Sequence, residues 1–506
     1  MNPYKGMTEL KLRHASLRSR ERLREGKRTV SSIAEEATVT TVHSAAATKK
    51  AQSKPLNSPA EVIGASLVGT TVEFYDFYVY ATAAVLVFPK LFFPVGNPVA
   101  SQLASFGVFG AAMIARPVGA IFYGHMGDKR GRKATLVACL MTMGIATFLV
   151  GLLPTFKQIG LWAALLLLIL RLTQGFALGG EWSGAALVAT ENAPANKRAL
   201  YGTFPQLGAP LGFIIANGLF LIINFALPHP TSSTMQSEAF LSWGWRIPFL
   251  FSSVMVIIGL YVRSKLAESE TFKQAEAKGT IVKIPLFDTL RHHLKAVVLG
   301  TFAMLATYVL FYLTTTFTLS YGTHPSNVTP SGLGISYTDF VLMQIIGVVF
   351  FGLFTILSGP LADSMGRRKL LLWVTAIIIV FGLMFPIFLD NKANNSFNGA
   401  MIEAFLIIGF TLMGFTFGPM GALLPEMFPT NVRYTGSAIA YNVSSILGAA
   451  LAPIIATALW AAAGGSTWMV GVYLAVASAL TFISLIMTKE TKDIDFTGDI
   501  GATKAK

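Results

Sequence analysis

The chain has 506 residues, of which 53% are apolar and 13% charged, and its mean hydropathy is +0.59. Soluble domains carry roughly 25% charged residues, so a soluble enzyme of several domains is excluded and much of the surface must be solvated by something other than water. The balance of 39 basic against 25 acidic residues, a formal +14, would suggest nucleic acid on a soluble protein; on a membrane protein it belongs to cytoplasmic loops, and no nucleic-acid partner is expected.

In chain order, residues 1–58 are polar and basic and lack the apolar core of a secretory signal. They read as a disordered cytoplasmic tail that could touch anionic lipid, or as an over-extended start, since Met7 could also initiate. Twelve apolar stretches follow, at 60–88, 103–123, 134–154, 161–189, 200–226, 243–262, 296–320, 339–358, 370–389, 401–424, 434–462 and 469–487. Long continuous apolar runs fit helices rather than alternating strands, and only helices or closed barrels satisfy the backbone in lipid. The expectation is an all-α membrane protein with twelve transmembrane helices. Cys139, the one cysteine, falls in an apolar run and reads as a packing residue.

With twelve spans and both ends on one side, 33 of the 39 basic residues fall on that side. The positive-inside bias then puts both termini in the cytoplasm of a cell whose plasma or inner membrane holds the protein. A polar stretch with Glu268, Glu270 and Lys273 separates spans six and seven. The chain therefore divides into a tail (1–58), a six-helix half (59–263), a connector (264–295), a second six-helix half (296–488) and a short tail (489–506). An internal repeat supports the division. At an offset of 235 residues, Gly124, Asp128, Gly131 and Arg132 fall on Gly359, Asp363, Gly366 and Arg367, while Glu191, Pro194 and Arg198 fall on Glu426, Pro429 and Arg433. Two pseudo-symmetric halves related by an axis along the membrane normal would hold a binding site between them near the midplane.

The strings GHMGDKRGRK (124–133) and GPLADSMGRRK (359–369) share the spacing G-x-x-x-D-x-x-G-R-[RK]. Their glycines permit a tight turn, and the aspartate can cap a helix or pair with the following arginine. This resembles the loop signature of the major facilitator superfamily. VEFYDFYVY in span one, IARPVGAIFYGHMGD in span two, RLTQGFALGGEW in span four and LPEMFPTNVRYTG after span ten are similar to one branch, the metabolite:proton symporters. Characterised members of that branch carry shikimate, oxoglutarate, citrate or proline and betaine. The resemblance implies proton-coupled uptake of a small organic acid or zwitterion, with the proton as coupling ion and one chain as the working unit.

Ionisable side chains inside the membrane each cost roughly 2.5–3.5 kcal/mol at a helix centre on insertion scales, so Glu73, Asp76, Arg116, Arg171 and Glu181 are site candidates. At 100° per residue, Gly69, Glu73, Asp76 and Tyr80 share one face of span one, and Arg171, Gln174, Leu178 and Glu181 share a sector of span four. A dry interior makes any carboxyl hold its proton more tightly, and a guanidinium moving beside it loosens that hold. Asp76, about 17 residues into span one, is the first choice for the coupling acid, since the resemblance implies an acidic proton site on this helix; Glu73 is the second. Arg171 and Arg116 present planar forks suited to a substrate carboxylate, with Gln174 and Tyr80 beside them. Permanent pairing of these acids and arginines, merely holding helices together, is the alternative.

The second half offers polar or amphipathic contacts instead of charge: Tyr308, Tyr312 and Thr315 in span seven, Gln344 in span eight, and Tyr441 and Asn442 in span eleven. At the cytoplasmic rim, Asp128, Arg132, Asp363 and Arg367, with Glu191–Arg198 and Glu426–Arg433 as possible bridges and Glu181 nearby, read as a gate. QLGAPLGF (206–213) resembles superficially the glycine–proline motif of drug-efflux antiporters, but Ala209 separates its glycine from its proline, so a helix kink or close packing is the expected role. No P-loop and no H-E-x-x-H string is present, and no metal, organic cofactor or enzymatic activity is expected. Osmolyte uptake, efflux by antiport and a non-transporting sensor are the competing readings; the last 18 residues hold no sustained heptads, which argues against a coiled-coil osmosensing extension.

Overall fold

The computed structural model describes residues 59–130, 132–179, 181–191, 193–227, 237–265, 286–390, 399–429, 432–492 and 494. The expected N-terminal tail, most of the expected C-terminal tail and the connector segment around Glu268, Glu270 and Lys273 lie outside them. Every regular element among the described residues is helical. Ten of the helical stretches are long and apolar enough to cross a membrane by length and composition. They begin at Pro98, Ala134, Leu161, Arg198, Phe240, Leu294, Tyr337, Gly399, Arg433 and Trp468.

The principal helices are α1 (Pro59–Leu86), α2 (Pro98–Arg130), α3 (Arg132–Leu152), α4 (Leu161–Leu178), α5 (Glu181–Glu191), α6 (Arg198–Gln206), α7 (Gly208–Ala226), α8 (Arg246–Lys265), α9 (Leu294–Tyr312), α10 (Tyr337–Met365), α11 (Arg367–Leu383), α12 (Gly399–Glu426), α13 (Arg433–Ser445), α14 (Leu451–Ala462) and α15 (Trp468–Met487). Helices α1 and α11 stand where spans one and nine are expected. The acids Glu73 and Asp76 dilute the apolar character of α1, and α11, at 17 residues, stops at Met384 before a further short helix, Phe385–Leu389.

Several expected spans are interrupted, each for a local reason. The fourth leaves regular helix after Leu178, at Gly179. The fifth breaks at Leu207, just after Pro205, which lacks the N–H that an unbroken helix needs. The seventh and eleventh pass through π-helical turns at Leu313–Phe317 and Ile446–Ala450. Such turns widen a helix and free backbone carbonyls. Near Leu313–Phe317 the Gln344 amide nitrogen donates to the carbonyls of Thr314 (3.1 Å) and Thr315 (2.7 Å). Gln344, expected to contact substrate, thus has its amide nitrogen engaged by the π turn.

Polarity is distributed inside out relative to a soluble protein. Ile114, Val118, Leu161, Trp162, Val349 and Trp373 are exposed, whereas Glu73, Asp76, Arg116, Arg171 and Gln174 are buried. Burial of aliphatic surface against water cannot order such a bundle, so close packing must. Helix α2 crosses α4 where each presents glycine. A Cβ on Gly119 would sit 1.7 Å from the Phe176 carbonyl oxygen, one on Gly175 2.0 Å from that of Ala112, and one on Gly179 2.2 Å from that of Arg116. Helix α7 meets α1 similarly, with Gly208 on Thr70 and Gly212 on Phe74 and Tyr75. Both roles expected for QLGAPLGF, a helix break and close packing, are thus present.

Helix pairing repeats along the chain. In the first group, α2 packs on α4, α1 on α7, α3 on α8 and α1 on α8; in the second, α10 packs on α12, α9 on α13, α11 on α15 and α9 on α15. The groups meet through α2 with α13 and α14, α6 with α10 and α12, and α7 with α10.

Candidate functional site

The α2–α4 crossing brings Arg116 and Arg171 to a common ring. Their guanidinium carbons lie 5.4 and 4.7 Å from the centroid of Phe77 on α1. Arg171 also stands 4.1 Å from the Tyr80 ring and 5.0 Å from Phe109, within the reach at which aromatic faces attract a cation. Two like charges held this close repel unless something negative compensates them. Among the described residues, Arg171 Nη2, Arg116 Nε and the Tyr80 hydroxyl have no hydrogen-bond partner, although buried polar atoms in folded proteins are nearly always bonded.

A polar chain leads from Arg171 to Asp76. Arg171 Nη1 donates to Gln174 Oε1 (3.1 Å), Gln174 Nε2 to Thr147 Oγ1 (2.6 Å), and Thr147 Oγ1 to Asp76 Oδ2 (3.0 Å). Ser252 Oγ donates to Asp76 Oδ1 at 2.5 Å. The carboxylate is therefore seated among α1, α3 and α8 and reaches the arginine through α3 and α4.

Glu73, one turn earlier, has a different neighbourhood. Its charge acts on Arg116, on Tyr78 of its own helix and on Tyr441 of α13. The single polar face expected on span one is thus divided: Asp76 points into the first group of helices, Tyr80 covers Arg171, and Glu73 belongs with the residues where the groups meet. The α9 and α13 side chains complete that meeting place. Tyr308 lies 5.5 Å from Tyr441, and Tyr312 packs edge-on against Phe77 (6.2 Å) and Phe109 (5.6 Å). Arg116 lies within electrostatic range of Tyr308, Tyr312 and Tyr441. Thr315, by contrast, donates to its own helix at the Phe311 carbonyl.

Toward the end that carries the loop motifs, the cluster is closed by a contact that no sequence pattern signals. Trp182, the residue after the buried Glu181, stacks on Tyr441 with centroids 4.0 Å apart and planes at 7°. Its indole N–H donates to Gln206 Oε1 (2.8 Å), and Gln206 Nε2 donates to the Phe417 carbonyl (2.9 Å). Asn442 Nδ2 donates to the Gly179 carbonyl (2.9 Å). The amide nitrogen of Asn442, a residue expected to contact substrate, therefore ties α13 to the end of α4.

At the motif end itself, Arg367 pairs with Asp363 and with Glu426, each at 3.1 Å. Asp363 also accepts the backbone N–H groups of Ala199 and Leu200 at 3.0 Å each. An anion at a helix N-terminus is favoured by the orphan N–H groups and the dipole, so this aspartate latches α10 to α6 across the two groups. Glu426 was expected to bridge to Arg433; it uses Arg367 and the Thr491 hydroxyl (2.6 Å). The Arg433 guanidinium Nε donates to the Phe428 carbonyl (3.3 Å), with Glu191, Arg198 and Glu426 in electrostatic range. Arg198 donates to the Ile494 carbonyl (2.6 Å). Gly366 holds φ at +100° between α10 and α11, a conformation open to glycine, and Glu490 accepts the N–H groups of Arg367 and Arg368 there. For Asp128 and Arg132 of the first motif the structure describes the helical backbone only.

Membrane-crossing helices, buried arginines between two groups of helices and a latch at one end define a transporter of the major facilitator type. The sequence profile described as Major Facilitator Superfamily matches residues 66–453, and the chain belongs to that family, among its metabolite transporters; this is a family of transporters, not of enzymes. It is 52% identical over 438 residues to the inner membrane metabolite transport protein YhjE of Escherichia coli K12, covering 87% of this chain and 96% of that one. To the shikimate transporter of the same organism it is 36% identical, covering 84% and 94%. The fold is similar to that of the proton:xylose symporter XylE bound to 6-bromo-6-deoxy-D-glucose, with a TM-score of 0.65 at 16% identity over 87% of this chain and 97% of that one. The protein is thus a multi-pass membrane transporter for a small molecule.

Proposed function

We propose that the chain is a proton-coupled symporter that takes up a small organic acid or zwitterionic metabolite by alternating access. In this reading α1 and α11 also span, giving twelve membrane helices in two six-helix halves, with both termini in the cytoplasm. The proton is the coupling ion, no other cofactor is needed, and a monomer suffices. The repeated pairing of helices and the repeated loop motif support the two-halves layout, and the one-sided basic residues support the orientation.

The observation that carries the reading is the pair of buried arginines on Phe77, one of which, Arg171, is joined through Gln174 and Thr147 to the Asp76 carboxylate. Protonation of Asp76 removes the negative end of that chain and leaves Arg171 under-compensated, so its Nη2 can take a substrate carboxylate. The loaded halves rock to the cytoplasmic side, and release followed by deprotonation resets the site. Arg116, Tyr308, Tyr312 and Tyr441 would frame the rest of the cargo. A second assignment, with Glu73 as the coupling acid, is favoured by its action on Arg116 and Tyr441, where the two groups meet.

The test is uptake into proteoliposomes of a labelled panel: monocarboxylates, dicarboxylates, hydroxylated ring acids, proline and betaine, with and without an inward proton gradient. An acid that accumulates only with the gradient supports the reading. Accumulation driven by an outward gradient would make the protein an antiporter, accumulation of betaine alone would make it an osmolyte carrier, and binding without accumulation would make it a sensor. Loss of accumulation in Glu73→Gln but not in Asp76→Asn would move the proton to Glu73.

A further inference from the structure

We infer that Thr147 is a positioning residue for coupling, a switch hydroxyl that conveys the protonation state of Asp76 to the Arg171 guanidinium; this rests on Asp76 being the proton site. Three groups lie within hydrogen-bond distance of Thr147 Oγ1: Asp76 Oδ2 at 3.0 Å, Gln174 Nε2 at 2.6 Å and the Met143 carbonyl at 3.0 Å. A threonine hydroxyl has one hydrogen and two acceptor lone pairs, so it cannot donate to the carboxylate and to the carbonyl together. The two acceptors correspond to two states. With Asp76 ionised, the hydroxyl donates to Oδ2 and accepts from Gln174, and every donor in the chain points from the guanidinium to the carboxylate. When an aqueous hydronium gives its proton to Asp76 and leaves as water, the new O–H donates to the second lone pair of Thr147. The threonine hydrogen then turns to the Met143 carbonyl, and no heavy atom has to move.

The other groups around Asp76 do not offer this choice. Ser252 donates to Oδ1 from α8 and, among the described residues, has no hydrogen bond onward to the arginine. Tyr75, on the same helix, donates to the Pro248 carbonyl at 2.7 Å. Arg171 is the charged group whose field acts on Asp76, Tyr75 the titratable neighbour that feels it, and α3 and α8 contribute hydroxyls. Since Gln174 accepts from Arg171 Nη1 with one end of its amide and donates to Thr147 with the other, reversal at Thr147 weakens the polarisation that the guanidinium feels, in the direction that favours an external anion.

The test needs no substrate. Infrared difference spectra between acid and alkaline pH are recorded on the purified full-length protein in lipid nanodiscs, following the carbonyl stretch of protonated carboxyls and the guanidinium modes. Asp76→Asn identifies the Asp76 band by deleting it, and Arg171→Lys identifies the arginine band. In the wild type the arginine band is expected to change over the same pH interval as the Asp76 band. In Thr147→Val the Asp76 midpoint is expected to shift by about one pH unit, the order of one hydrogen bond to a carboxyl, while the arginine band ceases to follow it. Thr147→Ser restores both. Ser252→Ala moves the midpoint but leaves the arginine band coupled, which a merely local packing role for Thr147 would not distinguish. An arginine band that still follows Asp76 in Thr147→Val, or that does not respond in the wild type, overturns the relay. If Asp76→Asn deletes no titrating band, the proton-site reading itself fails.

Discussion

Two of the places where arginine and carboxylate are linked among the described residues are built differently. At the motif end Arg367 touches Asp363 and Glu426 directly at 3.1 Å, while Asp363 holds the N-terminus of α6. In the middle, Arg171 reaches Asp76 only through an amide and a hydroxyl. Direct charge-assisted bonds fix a geometry and engage both terminal nitrogens of Arg367, only its Nε having no partner among the described residues. An indirect chain leaves Arg171 Nη2 without a partner among the described residues and can be reversed by one proton. The first arrangement suits a latch that is either made or broken; the second suits a site that must change its affinity.

The sharpest way to break this contrast is to remove one end of the central chain. Asp76→Asn is expected to abolish proton-driven accumulation in proteoliposomes while some substrate binding survives; full accumulation by that variant would take Asp76 out of the mechanism. Next in size is the packing that creates the site. Gly175→Leu must push α4 away from the Ala112 carbonyl; overpacking of this kind costs about 1–3 kcal/mol or more, and the expected outcome is a lowered melting temperature in detergent with loss of binding.

The latch should respond more mildly. Asp363→Asn keeps an acceptor but removes the charge from the α6 N-terminus, an effect of about 1 kcal/mol, so hydrogen exchange at Ala199 and Leu200 should quicken roughly fivefold to tenfold while the central helices keep their protection. An unchanged exchange rate would mean that the latch is not held by charge. The smallest effect is expected at Tyr80→Phe. The ring that covers Arg171 stays, and the hydroxyl removed has no partner, so stability should change by less than about 0.5 kcal/mol. A larger change would mean that the hydroxyl is bonded through water.

Much of the chamber was legible in advance because buried charge in an apolar run is conspicuous. Asp76, Arg116, Arg171 and Gln174 announce themselves by their expense in hydrocarbon, and all four are buried. Thr147, Ser252 and Trp182 carried no such signal, since a hydroxyl or an indole in a membrane helix is ordinary. Helical periodicity placed Glu73 and Asp76 on one face, yet a 60° difference in direction is enough to aim one at Arg116 and the other between α3 and α8. Gln344 and Asn442 stood out by composition, but that their amide nitrogens bond carbonyls at a π turn and a helix end is something no hydropathy reading registers.

The order of apolar and polar stretches along the chain was enough to determine a helical membrane bundle, its internal repetition and the identity of its intramembrane charges, because hydrocarbon tolerates so few backbone and side-chain solutions. Which of those charges face one another, by what intermediaries, and which polar residues are consumed in holding the bundle together was decided by the crossing of α2 and α4 on their glycines and by the rotation of α1. Those are relations between segments far apart in sequence, and they are set by close packing rather than by the local pattern of either segment.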